Sequence, residues 1–232
     1  MLRQVVAFSL AVATLLIAAK SSAQRPVAAS NGSAIQIGLR LGYGVPFGKT
    51  GRTVTDQVDD DLSASIKGQI PIGLDVGYLA TPNFYVGLAL QYGFGLIGSA
   101  GTGLCDQSGV TCSTSDTSLG VGAQYHLSPT ASFDPWIGLG LAYEWLDLSA
   151  TFGGRTSSGT ASGLQYVILQ FGGDISVAQN IAVGPFASFS AGQYFSVSQQ
   201  VTGGATVSQD ITNKSFHEWL LFGVRGIYNI RL

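Results

Sequence analysis

The sequence predicts an all-β chain, an eight-stranded antiparallel up-and-down transmembrane β-barrel preceded by a cleaved signal peptide. Three observations carry that prediction. Apolar residues alternate with period two in eight separate segments, the connections between those segments alternate long and short, and only 10% of the residues are charged while 46% are hydrophobic. Period two places one residue set on each face of a strand. Segregated long and short connections are a feature of membrane barrels.

The composition removes other classes first. Ordinary soluble domains are roughly 25% charged, well above this chain, and its 32 glycines in 232 residues are an unusually large share. High hydrophobicity with a net charge of -2 excludes disorder. Eleven basic against thirteen acidic residues, with no basic cluster, excludes a nucleic-acid partner.

At the N-terminus Arg3 supplies a positive charge, residues 5–19 are apolar apart from Ser9 and Thr14, and Ser21-Ser22-Ala23 puts small residues before Gln24. This is the form of an export signal cut after Ala23. The apolar run is about 15 residues, short of the roughly 20 that a retained spanning helix needs. No cysteine lies near the cut for a lipid anchor. The expected organisation is a signal peptide at 1–23, a short periplasmic segment at 24–33 and a barrel domain at 34–232. Loss of Arg3 and Lys20 leaves 9 basic and 13 acidic residues, a net charge of -4. No later segment is apolar for about 18 residues, which excludes a spanning helix in the remainder.

The strands follow in order. Residues 34–47 set Ile35, Ile37, Leu39, Leu41, Tyr43 and Val45 against Gln36, Gly38, Arg40, Gly42 and Gly44. In 68–79 the apolar set is Ile70, Ile72, Leu74, Val76 and Tyr78, opposite Gln69, Pro71, Gly73, Asp75 and Gly77. Residues 84–96 give Phe84, Val86, Leu88, Leu90, Tyr92, Phe94 and Leu96, and 118–127 give Leu119, Val121, Ala123, Tyr125 and Leu127. In 135–146 Ile137, Leu139, Leu141, Tyr143 and Trp145 stand against Trp136, Gly138, Gly140, Ala142 and Glu144. In 165–177 Val167, Leu169, Phe171, Ile175 and Val177 stand against Tyr166, Ile168, Gln170, Gly172 and Asp174. Residues 181–195 and 218–232 complete the set, the last placing Arg225 and Arg231 opposite Leu220, Phe222, Val224 and Tyr228. The connections 48–66, 97–117, 148–163 and 196–215 are long and those at 80–83, 128–134 and 178–180 short. An even strand number puts both termini at the short-turn, periplasmic end.

In a soluble barrel the apolar set would point inward. The other set would then form the surface, yet it is mostly glycine with a few isolated charges. Turning the apolar set toward lipid removes the difficulty, because its central stretches carry no charge and its ends are aromatic. Tyr78, Phe84, Tyr125 and Tyr228 mark the short-turn end; Phe47, Phe94, Tyr143, Trp145 and Phe195 mark the long-loop end. Two such rows are the girdles of a membrane barrel.

With its export signal, its eight alternating strands, the segment GLRLGYGVPFGK at 38–49 and an alternating last strand, the chain resembles the small eight-stranded bacterial outer-membrane barrels of the OmpA/OmpX/OmpW type. The resemblance is architectural and spans residues 34–232. It implies location in the cell outer membrane, contact with outer-membrane lipid and lipopolysaccharide, insertion by the barrel-assembly machinery, and a monomer. Many members end in an aromatic residue, whereas this sequence reads Ile230-Arg231-Leu232 at that position, and no peptidoglycan-binding domain is expected after the barrel.

An eight-stranded lumen is only wide enough for side chains to fill it, and inward glycine leaves room for ordered water. The inward charges are Arg40, Asp75, Glu144, Asp174 and Arg225, with Arg231 near the mouth. If the first two strands pair with residue numbers summing to about 115, Arg40 faces Asp75, and Arg225 comes level with Arg40 across the closing seam. Ion pairs that neutralise buried charge are the expected role; a gate is the sharper alternative. Cys105 and Cys112, both in the loop at 97–117, are expected to form a disulfide after export. Their spacing without histidine does not suit zinc, and no cofactor or metal is expected. Asp59-Asp60-Asp61 reads as a solvated acidic run, with calcium as the alternative.

Catalytic candidates are thin. His126 with Ser128 sits at a short turn, and His217 with Ser215 and Glu144 or Asp147 sits at the long-loop rim. A hydrolase needs nucleophile, base and orienting acid within hydrogen-bond reach, and no catalytic residue is assigned. The expected function is structural or surface-interacting, through the long loops. A narrow pore for small or hydrophobic solutes and a lipid-modifying enzyme are the alternatives.

Overall fold

The computed structural model describes residues 33–53, 61–98 and 105–232. The proposed signal peptide and most of the segment after it lie outside the described residues. Among the described residues are ten strands and one helical turn: β1 (Ala34–Gly48), β2 (Arg52–Thr53), α1 (Leu62–Ser65), β3 (Ile66–Thr81), β4 (Phe84–Ile97), β5 (Val110–His126), β6 (Phe133–Phe152), β7 (Arg155–Ala178), β8 (Ile181–Val201), β9 (Val207–Asn213) and β10 (His217–Arg231). Eight of the strands form the ring β10-β1-β3-β4-β5-β6-β7-β8, and β8 pairs with β10 to close it. Every neighbouring pair is antiparallel. β2 and β9 are short additions at the long-loop end. Closure matters in lipid, where an open edge would leave backbone groups without partners at several kcal/mol each.

The two faces divide as the alternation requires. Leu39, Leu74, Leu88 and Leu139 point out of the ring with 61%, 40%, 58% and 58% of their surface exposed. Arg40, Tyr85, Trp136, Asp174, Phe186 and Arg225 point in and are buried. Because Leu139 lies midway between the girdles, Leu139→Arg is expected to lower bilayer stability by about 2–4 kcal/mol. Urea titration in lipid vesicles, scored by heat-modifiable gel migration, checks this; a wild-type midpoint would show that this face does not meet acyl chains.

Inward glycine has a packing role that composition does not reveal. The Tyr85 ring lies across Gly77 and Gly87, where an added Cβ would come within 2.6 and 2.2 Å of its atoms. Trp136 lies over Gly172 in the same way, at 2.5 Å. These glycines therefore make room for aromatic rings.

The structure departs from the sequence reading in three places. The stretch expected as a long loop at 148–163 is sheet, because β6 and β7 continue as one hairpin whose turn uses Gly153 and Gly154 at positive φ. Apart from Leu148, Phe152 and Arg155 this extension is Ser, Thr, Gly and Ala, so it carries no apolar alternation. Hydroxyl pairs join its strands and their neighbours instead: Ser113–Ser149 at 2.9 Å, Thr151–Thr156 at 2.9 Å and Ser162–Ser196 at 2.8 Å. Likewise β5 begins at Val110 and β8 runs to Val201, so Cys112 belongs to a strand.

Second, the β1–β3 register sums to 113, so Gly38 faces Asp75 and Arg40 faces Gly73. Third, Tyr166 is exposed and Gln165 buried, reversing the expected inward position of Tyr166. The β7–β8 ladder shifts register between Gln165 and Val167, and one extra residue at a bulge exchanges the faces.

Candidate functional site: the lumen and its charge network

Five strands contribute the lumen charges, and they assemble into separate groups. Arg40 on β1 engages Asp75 on β3 with two contacts, Nε–Oδ2 at 2.8 Å and Nη2–Oδ1 at 3.0 Å. Arg225 on β10 engages Asp174 on β7 through Nε–Oδ1 at 2.8 Å and Nη2–Oδ2 at 2.5 Å. Its Nη1 donates to Gln124 Oε1 at 2.8 Å, and its guanidinium lies 3.8 Å from the Trp136 ring centroid. Arg40 and Arg225 are indeed partners across the β1–β10 seam, but each has its own carboxylate. The anticipated Arg40, Asp75, Arg225 cluster is thus two separate ion pairs, of which Arg225–Asp174 is the forked, doubly hydrogen-bonded geometry that planar guanidinium favours.

Glu144 stands apart from both pairs, nearer the long-loop end. It is wholly buried and accepts from Trp219 Nε1 at 2.8 Å and Tyr194 Oη at 3.2 Å; its other oxygen meets His217 Nε2 at 2.8 Å. Tyr194 stacks on the His217 ring at 4.0 Å between centroids. Gln69 Nε2 donates to Asp116 at 3.0 Å in the same buried layer. Around this polar centre packs an apolar cluster of Leu62, Ile66, Leu146, Tyr194, Ile211, Trp219 and Leu221. Leu62, Ile66 and Ile211 come from segments read as loop. The turn α1 and strand β9 therefore fold into the barrel mouth and help seal it. A central cavity lined by Arg40, Asp75, Tyr85, Gln124 and Gln165 has Trp219 and Leu221 among its walls.

Neither histidine forms the triad considered from sequence. His217 Nε2 is committed to Glu144, and its Nδ1 has no hydrogen-bond partner. His126 Nδ1 is 2.6 Å from Asp134 Oδ2, its Nε2 has no partner, and Ser128 contributes its backbone N–H to Asp134 at 2.9 Å. Asp134, Asp116, Gln69, Tyr194 and Trp219 were not singled out as members of these groups by sequence. An acid eight residues after His126 across a short turn was the one available signal, since hairpin pairing brings such residues together.

At the long-loop end Cys105 and Cys112 form the expected disulfide, with Cα atoms 5.7 Å apart. Asp61 pairs with Lys49 through the backbone in an isolated antiparallel β-bridge, while Asp59 and Asp60 lie outside the described residues. Among the described residues no group of three His, Cys, Asp or Glu side chains is placed to hold a metal ion.

On the outer face Tyr78, Phe84, Tyr125 and Tyr228 are exposed at the short-turn end, and Phe94 and Tyr143 at the other, with Trp145 half-buried and 4.6 Å from the Tyr143 ring. The register shift adds a patch that alternation missed. Tyr166 lies 6.3 Å from Phe195 and 6.4 Å from Phe216, and Lys214 Nζ is 4.8 Å from the Phe195 centroid.

A sequence profile described as "Outer membrane protein beta-barrel domain" matches residues 8–217, most of the chain. The chain belongs to this family. It is therefore an outer-membrane β-barrel, its apolar face meets membrane lipid, and the cell outer membrane is its location.

No curated protein matches the chain by sequence. Solved structures agree on the fold. A major outer membrane protein from Thermus thermophilus is similar with a TM-score of 0.55 and 11% identity, over 85% of this chain and 99% of that one. The outer membrane protein OprG from Pseudomonas aeruginosa is similar with a TM-score of 0.51 and 14% identity, over 87% and 99%. At these identities the likeness speaks for the barrel alone.

Proposed function

We propose that this outer-membrane barrel is a non-catalytic structural and surface-interaction protein of the envelope, working as a monomer through the sheet that rises beyond its long-loop girdle. The observation that carries this reading is the obstructed lumen. Arg40–Asp75 and Arg225–Asp174 cross it, and the apolar cluster around Trp219, Tyr194 and Leu146 occupies its long-loop end. Continuous conduction needs an open aqueous path, and a lumen of eight strands has little width to spare. The β6–β7 hairpin with the adjoining parts of β5 and β8 instead offers a Ser- and Thr-rich wall beyond the membrane. Lipopolysaccharide and outer-membrane lipid surround the barrel in this reading, and the barrel-assembly machinery inserts it.

The test is paired. The refolded protein in planar bilayers is expected to give no single-channel steps. Replacing residues 150–157 by a short glycine turn is expected to leave heat-modifiable migration intact while reducing attachment of cells to surfaces. Stable steps from the wild-type chain would favour the narrow-pore alternative and end this proposal.

A further inference from the structure

At the short-turn end of the lumen is a cavity of about 90 Å3 that neither ion pair nor plug occupies. Asp134, Asp174, His126 and Asn180 line it together with apolar Leu79, Ile181 and Ile227.

His126 is 3% exposed, and its Nδ1 is held by Asp134. Both Asp134 oxygens are used, one by His126 and one by the Ser128 N–H. A neutral imidazole that donates Nδ1–H to a carboxylate presents a lone pair at Nε2. That Nε2 is buried and has no partner. Asn180 Oδ1, in the turn between β7 and β8, is also buried without a partner. Its backbone carbonyl already accepts from the Asn229 N–H at 2.9 Å. Each such orphan costs about 1–3 kcal/mol when nothing donates to it. Two at one cavity ask for a ligand rich in donors.

Charge narrows the choice. Asp174 is neutralised by Arg225. Asp134 is held by the His126 ring and the Ser128 N–H, and no Lys or Arg side chain among the described residues pairs with it. Arg231, the other cation at this end, is exposed and donates to the Gln179 carbonyl at 3.3 Å. A metal ion is a poorer fit, because no three His, Cys, Asp or Glu side chains converge among the described residues. Apolar walls also suit a carbon chain better than a hydrated ion.

We propose that this mouth binds an alkylammonium group, whose N–H donors meet His126 Nε2 and Asn180 Oδ1 while its methylenes lie along Leu79, Ile181 and Ile227. The group is carried either by a diffusible diamine or by a lysine side chain of a neighbouring periplasmic protein.

The test follows the His126 ring resonances of the full chain, 15N-labelled at histidine and refolded in lipid nanodiscs. It is titrated with cadaverine and, separately, with a short acetylated peptide carrying one lysine. The expected result is a saturable shift of the His126 ring, weakened at least tenfold in Asn180→Leu, with amine binding by His126→Phe, read by titration calorimetry, weakened as much. Response to cadaverine alone assigns the diffusible source, and response to the peptide the protein source. Asn180 lies in an exposed turn, so Asn180→Leu decides the matter if His126→Phe does not fold. No saturable shift with either amine, equal binding of 1-pentanol, binding of zinc alone, or unchanged affinity in Asn180→Leu would each overturn the proposal.

Discussion

Arg225→Met is expected to destabilise the barrel by about 3–5 kcal/mol, the usual loss when one partner of a buried pair is removed. Asp174, with 4% of its side chain exposed, would keep its charge without the two donors that now hold it. Gln124 would lose a donor and Trp136 the cation on its face. Met fills much of the same space, so the change removes charge and hydrogen bonds more than volume. Arg225→Met with Asp174→Leu should recover most of the loss, because apolar replacement of a whole buried pair is often near neutral. Urea unfolding in vesicles for both single variants and the double variant measures the coupling directly. A loss below about 1 kcal/mol for Arg225→Met would mean that water already satisfies Asp174. The parallel change at Arg40 should cost less, since Asp75 is the more exposed carboxylate at 14%.

The strands, their faces and the girdles were legible because lipid on one side and a packed lumen on the other impose a period-two contrast on every membrane-crossing segment. Where that contrast ends, legibility ends with it. Residues 148–163 are mostly small and polar on both faces beyond the lipid, so a continuous hairpin read as a loop. Register was only half legible. Alternation fixes which face a side chain occupies, but sliding β1 against β3 by two residues keeps every face unchanged, so sums of 113 and 115 were indistinguishable. That slip is why Arg40 was expected opposite Asp75 and is found diagonal to it, reaching along the strand to form the pair. The Tyr166 reversal rests on a bulge, which no apolar count reports.

The network around Glu144 was the least legible part of the lumen, because its members lie far apart in sequence. Only tertiary closure brings β5, β6, β8 and β10 to one point. Asp116 stood in a stretch whose Ser, Thr and Gly content reads as loop, whereas His217 was placed at the same rim as Glu144 and does meet it. Tyr85 and Gly77 illustrate the same limit in packing: each stood on the inward set, but that one ring needs the other's missing Cβ depends on neighbours across two strands.

Glu144→Ala is the second large effect, expected at about 4 kcal/mol or more. Three groups now directed at this carboxylate, Tyr194 Oη, His217 Nε2 and Trp219 Nε1, would be left buried without it. Each orphaned polar group costs about 1–3 kcal/mol, and shortening the side chain also opens a gap beneath the apolar cluster. Glu144→Gln separates the two contributions. It keeps the volume and one oxygen for Trp219 and Tyr194, while its NH2 can be met by His217 only if the ring carries its proton on Nδ1. The expected order of stability is wild type, then Glu144→Gln, then Glu144→Ala, read from urea midpoints in vesicles. Tryptophan fluorescence should report the loosened surroundings of Trp219 in the alanine variant. Because Trp219 and Tyr194 belong both to this hydrogen-bonded group and to the apolar cluster at the mouth, the carboxylate and the seal are expected to fail together. Conductance in planar bilayers should then appear in Glu144→Ala and not in the wild type. Loss of stability without any conductance would instead place the seal in the Leu62, Ile66 and Leu221 contacts, which do not depend on Glu144.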